Sequence, residues 1–179
     1  MRLAGINRPD SRIKPDSRFN LSSAPPGPQI ISGRVPNHYR VDDKENEMRK
    51  GKKSRLLLGK MGLDAHDNGI IIVAKWLSDA GFEVIYAGIY NTPDSLLQSA
   101  LQEGVNAIGC SFLGGEHLFY MRKLTELLKT RQIDNIKLIV GGVIPKEDSD
   151  ELKRLGVGCV FTPGTMRDTI IETLTDYLK

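Results

Sequence analysis

One histidine stands at the centre of the most chemically pointed stretch of this sequence, Lys60-Met61-Gly62-Leu63-Asp64-Ala65-His66-Asp67-Asn68-Gly69. The stretch follows an apolar run, Leu56-Leu57-Leu58, and precedes a helical pattern, so it reads as a strand-to-helix loop. An imidazole that ligates a metal needs a partner on its other ring nitrogen to fix tautomer and orientation. Asp64, two residues before His66, is spaced to be that partner, and Lys60 is spaced to hold Asp64 in turn. Gly69, three residues after His66, removes a side chain where a bulky ligand would approach the backbone. The other candidates for chemistry are weaker. His117 reads as an ordinary residue in the first turn of a later helix rather than a second ligand. Cys110 has no base beside it, and both cysteines, Cys110 and Cys159, lie in apolar runs as reduced core thiols.

The elements that must position His66 follow from the pattern beyond residue 54. Apolar, β-branched runs at Leu56–Leu58, Val84–Ala87, Ala107–Cys110, Lys137–Val140 and Cys159–Phe161 alternate with helical patterns. Those patterns cover Gly69–Ala80, Pro93–Glu103, Glu116–Thr130, Glu147–Leu155 and Met166–Leu178, with Gly81, Gly104 and Gly156 at the joins. Strict alternation of this kind predicts an α/β, doubly wound, five-stranded parallel sheet covered on both faces, of the flavodoxin-like order 2-1-3-4-5. In that topology ligands bind beyond the carboxyl ends of the strands, at the switch point between the first and third. The loops expected there are the His66 loop, Ser111-Phe112-Leu113-Gly114-Gly115, Gly141-Gly142-Val143 and Pro163-Gly164-Thr165, all small, polar or glycine-bearing. A phosphate-binding loop would place its glycines at a helix start in G-x-G-x-x-G spacing, which the His66 loop does not do.

The chain divides into two parts by composition. Its 179 residues carry a net charge of +3, but residues 1–54 carry 12 Lys+Arg against 6 Asp+Glu, and residues 55–179 carry 13 against 16. The first part also holds six of the nine prolines. Residues 1–53 therefore read as a basic, Pro-rich arm expected to be disordered, followed by a folded domain over residues 54–179. With Phe19 and Tyr39 as its aromatics, the arm lacks the interleaving that stacks bases, which argues against nucleic acid and for a solvated tail or partner arm. No apolar run approaches the roughly 18 residues of a membrane span, and no secretory signal pattern opens the chain. The expected location is cytoplasmic.

Residues 55–179 resemble the cobalamin-binding domain, or small subunit, of adenosylcobalamin-dependent acyl-CoA mutases of the methylmalonyl-CoA mutase type. The resemblance is carried by Gly62-Leu63-Asp64-x-His66-Asp67-x-Gly69, Ala80-Gly81-Phe82-Glu83-Val84-Ile85-Tyr86, Ser111-x-Leu113, Gly141-Gly142-Val143-Ile144-Pro145 and Pro163-Gly164-Thr165. It implies that His66 is the lower axial ligand of cobalt, displacing the cofactor's own dimethylbenzimidazole. Asp64 would hydrogen-bond the other nitrogen of His66, and Lys60 would pair with Asp64. Ser111 and Leu113 would line a slot for the displaced nucleotide tail, Gly141, Gly142, Gly164 and Thr165 would let that tail pass close to the backbone, and the helix beginning at Gly69 would form one wall of the slot. The sequence departs from the family pattern at Ala65, Asn68, Phe112, Gly114 and Glu116, none of which removes the ligand or its relay.

The resemblance implies an isomerase subunit catalytically inert on its own. A TIM barrel to bind the acyl-CoA needs about 250 residues and must come from a partner chain. It also implies service by a G-protein chaperone. Two alternatives share the His-centred loop: a corrinoid methyl carrier, and a cobalamin-dependent sensor or regulator. Methyl carriers place a helical domain ahead of the cobalamin domain, which the Pro-rich arm cannot form, and no DNA-reading helix is evident for a regulator.

Overall fold

The computed structural model describes residues 29–30 and 54–179. In chain order the elements are β1 (Gln29–Ile30), β2 (Arg55–Gly59), α1 (Asn68–Asp79), β3 (Glu83–Tyr86), α2 (Pro93–Glu103), β4 (Ala107–Phe112), α3 (His117–Thr130), β5 (Lys137–Gly142), α4 (Lys146–Arg154), β6 (Val157–Phe161) and α5 (Arg167–Tyr177). The sheet order is β1-β3-β2-β4-β5-β6. The five strands from β2 onward are parallel and, counted among themselves, take the expected order 2-1-3-4-5.

At the sheet edge, Gln29 and Ile30 pair antiparallel with Tyr86 and Ile85. Two residues are too short to show any period, so the pattern gave no sign of this strand. It shields part of the edge of β3, whose unpaired backbone groups would otherwise be open. The expectation of disorder for the rest of residues 1–53 lies outside the described residues.

The period of two along each strand divides the core between two faces. Leu57, Ile85, Ile108, Leu138 and Val140 pack against α2, α3 and α4 through Leu96, Leu97, Met121, Leu124 and Leu152. Leu56, Leu58, Val84, Ala107, Ile139 and Cys159 pack against α1 and α5 through Ile70, Ala74, Leu77, Ile170 and Leu174. Burial on both faces explains why the strands read as continuous apolar runs. Strands β4 and β5 extend two residues beyond the apolar runs that announced them. Ser111 pairs with Gly141 and Phe112 with Gly142, so these residues end strands rather than open loops. At Gly142 φ is +120°, and a Cβ there would lie 1.8 Å from the Phe112 carbonyl oxygen. Only glycine fits that strand end.

Candidate functional site

The loop between β2 and α1 lies at the carboxyl end of the sheet, at the switch between β2 and β4. Three side chains form a relay along it. Lys60, 1 % exposed, places Nζ 2.7 Å from Asp64 Oδ2. The ammonium also donates to the Ser111 carbonyl of β4 at 3.3 Å. The other carboxylate oxygen, Asp64 Oδ1, lies 2.8 Å from His66 Nδ1 and accepts the His66 backbone N–H at 2.9 Å. Burial pushes the Asp64 carboxyl up, but Lys60 and the two hydrogen bonds from His66 outweigh it and hold the pKa at about 2. An ionised carboxylate can only accept, so Nδ1 must carry the proton in the neutral imidazole. Nε2 is left as a lone-pair donor on a side chain 79 % exposed.

The relay is braced at the start of α1. Asp67, at the N-cap position, accepts a hydrogen bond from the Tyr86 hydroxyl at 3.2 Å rather than capping the helix with its side chain. Burial, with Asp67 beside it, pushes the Tyr86 phenol up to about 12. Lys60, Asp64 and His66 are thus fixed from both sides, with the imidazole facing outward.

Two cavities adjoin this loop. The first, about 350 Å³, is a slot between α1, α5 and the carboxyl ends of β4, β5 and β6. Of the residues singled out in the sequence, Gly69, Ser111, Gly141, Gly142, Gly164 and Thr165 line it. Its apolar wall includes Ile72, Val73 and Trp76 of α1, and Cys110 also borders it. A Cβ on Gly69 would meet no atom within 4 Å, so the fold does not require glycine there and the space beside it belongs to the slot. Pro163 and Gly164 make the turn at the slot's end, with Gly164 at φ +89° and Thr165 N–H donating back to the Thr162 carbonyl at 3.1 Å. The second cavity, about 450 Å³, is a shallow shelf around the imidazole, bordered by Leu63, Asp64, His66, Leu113, Gly114, Glu116 and Tyr120.

Leu113 therefore borders the shelf beside His66 and is not among the residues lining the slot, because the chain has already left β4 and turned over the rim. Lys60 lines neither cavity and acts from beneath, through Asp64. Sequence reasoning missed Trp76 in the slot and Glu116 and Tyr120 on the shelf. Trp76 was legible as the single tryptophan on a helix facing the motif; Glu116 and Tyr120 carried no local signal. His117 is buried, and its Nε2 lies 2.9 Å from Asp148 Oδ2, tying α3 to α4 away from the imidazole shelf. Both cysteines are buried free thiols, and burial pushes Cys110 up to about 12.

The donor set suits a particular kind of metal. Among the described residues no group of three or more His, Cys, Asp or Glu side chains could enclose an ion. One outward imidazole with an oriented lone pair could give a single bond to a metal whose other positions a macrocycle supplied. The slot beside it, apolar on one wall and lined by glycine backbone on the other, can take a flat appendage of such a group.

Comparison with known proteins covers the part of the chain that holds this loop. Residues 54–171 match the family model of the B12 binding domain. The chain is 41% identical over 120 residues to the 2-hydroxyisobutanoyl-CoA mutase small subunit of Aquincola tertiaricarbonis, across 67% of this chain and 88% of that one. It is 40% identical over 121 residues to the pivalyl-CoA mutase small subunit of Xanthobacter autotrophicus, across 68% of this chain and 81% of that one. Among solved structures, a cobalamin-binding protein from Desulfitobacterium hafniense superposes with a TM-score of 0.61 at 23% identity, over 70% of this chain and 60% of that one. That structural likeness bears on the fold alone. With the family model matched over residues 54–171, from the first parallel strand into α5, this chain belongs to the B12-binding domain family.

Proposed function

We propose that this chain is the cobalamin-binding subunit of an adenosylcobalamin-dependent acyl-CoA mutase. The observation that carries the reading is the Lys60–Asp64–His66 relay, which ends in an exposed, oriented Nε2 beside an apolar slot. His66 would ligate the cobalt through Nε2. Asp64 holds the proton on Nδ1 and makes the imidazole a better donor, and Lys60 keeps Asp64 ionised. Gly69, Ser111, Gly141, Gly142, Gly164 and Thr165 would hold the displaced nucleotide tail in the slot, and Leu113 would meet the ring above the shelf. When bound, adenosylcobalamin supplies the radical that starts a carbon-skeleton rearrangement.

This chain's own residues bind, orient and shield that group. Binding of the acyl-CoA falls to a separate large TIM-barrel subunit, and loading or repair to a G-protein chaperone. Identity of about 40% to mutase small subunits, along most of their length, supports this reading over a methyl carrier or a regulator. Among the described residues no helix is long and apolar enough to cross a membrane, and a cytoplasmic location goes with the proposal. Reconstitution tests it. This chain, a candidate large subunit and adenosylcobalamin together should isomerise a branched acyl-CoA, and each chain alone should not. Activity of the large subunit without this chain would refute it.

A further inference from the structure

Beyond the end of β2, the backbone carrying Lys60 is held by a segment the mechanism has not yet used. Pairing between β2 and β3 runs to Leu58 and Tyr86. It then continues irregularly: Lys60 N–H donates to the Gly88 carbonyl at 3.0 Å, Asn91 N–H to the Lys60 carbonyl at 3.0 Å, and Gly62 N–H to the Asn91 carbonyl at 3.1 Å. Ile89 and Tyr90 bulge out between these bonds. Tyr90 is exposed and sits in the left-handed region at φ 63°, an unfavourable place for a bulky residue. Such a conformation persists only where its surroundings over-determine it. Here the Asn91 side chain does so. Its amide nitrogen lies 3.2 Å from the Lys60 carbonyl, 3.3 Å from that of Ala87 and 3.1 Å from that of Gly88. Two amide hydrogens thus serve three acceptors, two just before the bulge and one on the neighbouring segment that carries Lys60. Asn91 also re-enters the ladder opposite Met61.

We propose that Asn91 is a positioning residue for the metal-ligating histidine. It clamps the backbone of Lys60, so that the buried ammonium meets Asp64 and Asp64 meets His66 Nδ1. The strained turn at Tyr90 is held in place by the same clamp. Asn91 touches neither imidazole nor slot; its effect passes through Lys60. The inference rests on the reading of His66 given above.

The test loads wild type, Asn91→Ala, Asn91→Ser and Thr92→Ala with cobalamin in its Co(II) form. It measures affinity and the imidazole nitrogen splitting in the electron paramagnetic resonance spectrum. Amide exchange of the cofactor-free proteins is followed in parallel. Thr92→Ala is the control, because Thr92 caps α2 through Ser95 and makes no bond to the relay. Loss of an outer partner of a metal ligand weakens binding by about 10- to 100-fold, and a residue one step further out should fall near the lower figure. Asn91→Ala should bind about 10-fold more weakly, with part of the imidazole splitting lost. Exchange should quicken at Lys60 and Gly62 but not at Leu57. Asn91→Ser, keeping one donor, should fall between, and Thr92→Ala should match wild type. Equal affinity and splitting in wild type and Asn91→Ala would overturn the proposal. So would failure of both Asn91 variants to fold, which would assign the residue to global stability. Absence of imidazole splitting in wild type would instead overturn the reading of His66 itself.

Discussion

At the scale of single residues, the site depends on one carboxylate kept charged against burial. Asp64 is squeezed between a buried ammonium and an imidazole, and its pKa falls from 3.8 to about 2. A group whose folded-state pKa is depressed contributes stability that is full above its unfolded value and is lost as pH falls through the folded one. Asp64→Asn removes that charge and leaves the Lys60 ammonium buried without a counter-ion. At neutral pH it should cost about 3 kcal/mol, since breaking a buried pair strands the other charge. Chemical denaturation of the cofactor-free proteins checks this, and the gap between wild type and variant should narrow as the pH is lowered from 4 toward 2. Gly69 makes the opposite case. Its Cβ position is open and its backbone is helical, so Gly69→Ala should stabilise the empty protein by about 0.5 kcal/mol. The same methyl would stand in the slot, and cobalamin titration should show weaker binding. Higher melting temperature with weaker binding would separate what the fold needs from what the ligand needs.

At the scale of elements, the carboxyl ends of β4 and β5 do the positioning, and they show where sequence reading stops. The strands and helices past residue 54 were legible because double-sided burial writes each strand as an apolar run and each helix as an amphipathic one. The Lys60–Asp64–His66 relay was legible because its members are two and four residues apart. The last residues of β4 and β5 were not, since Ser111, Gly141 and Gly142 have the composition of a loop. Only the partner strand's backbone, with Phe112 opposite Gly142, makes them strand. Gly142→Ala should therefore cost about 1–3 kcal/mol, through a left-handed φ and a clash with the Phe112 carbonyl. Thermal melting of the cofactor-free variant tests this, and an unchanged melting temperature would show that the strand end relaxes without cost. Asn91 and Tyr120 were illegible for a similar reason. Each meets the site through a tertiary contact that no local spacing announces.

At the scale of the whole molecule, the fold presents an imidazole and a slot on one rim, with apolar side chains facing out around them. Leu63 is 92 % exposed, and Leu113, Val143 and Met166 are exposed beside the same loops. A rim with this much exposed apolar surface suits contact with another molecule rather than with water. On the proposed function, this chain would hold and orient the cofactor, and a large subunit would hold the acyl-CoA. The most direct test is the visible and electron paramagnetic resonance spectrum of the purified chain loaded with cobalamin, beside His66→Ala. The account predicts a histidine-coordinated, base-off spectrum in wild type that disappears in the variant, while the fold is retained. Identical spectra from the two proteins, or coordination by the cofactor's own benzimidazole in both, would contradict it.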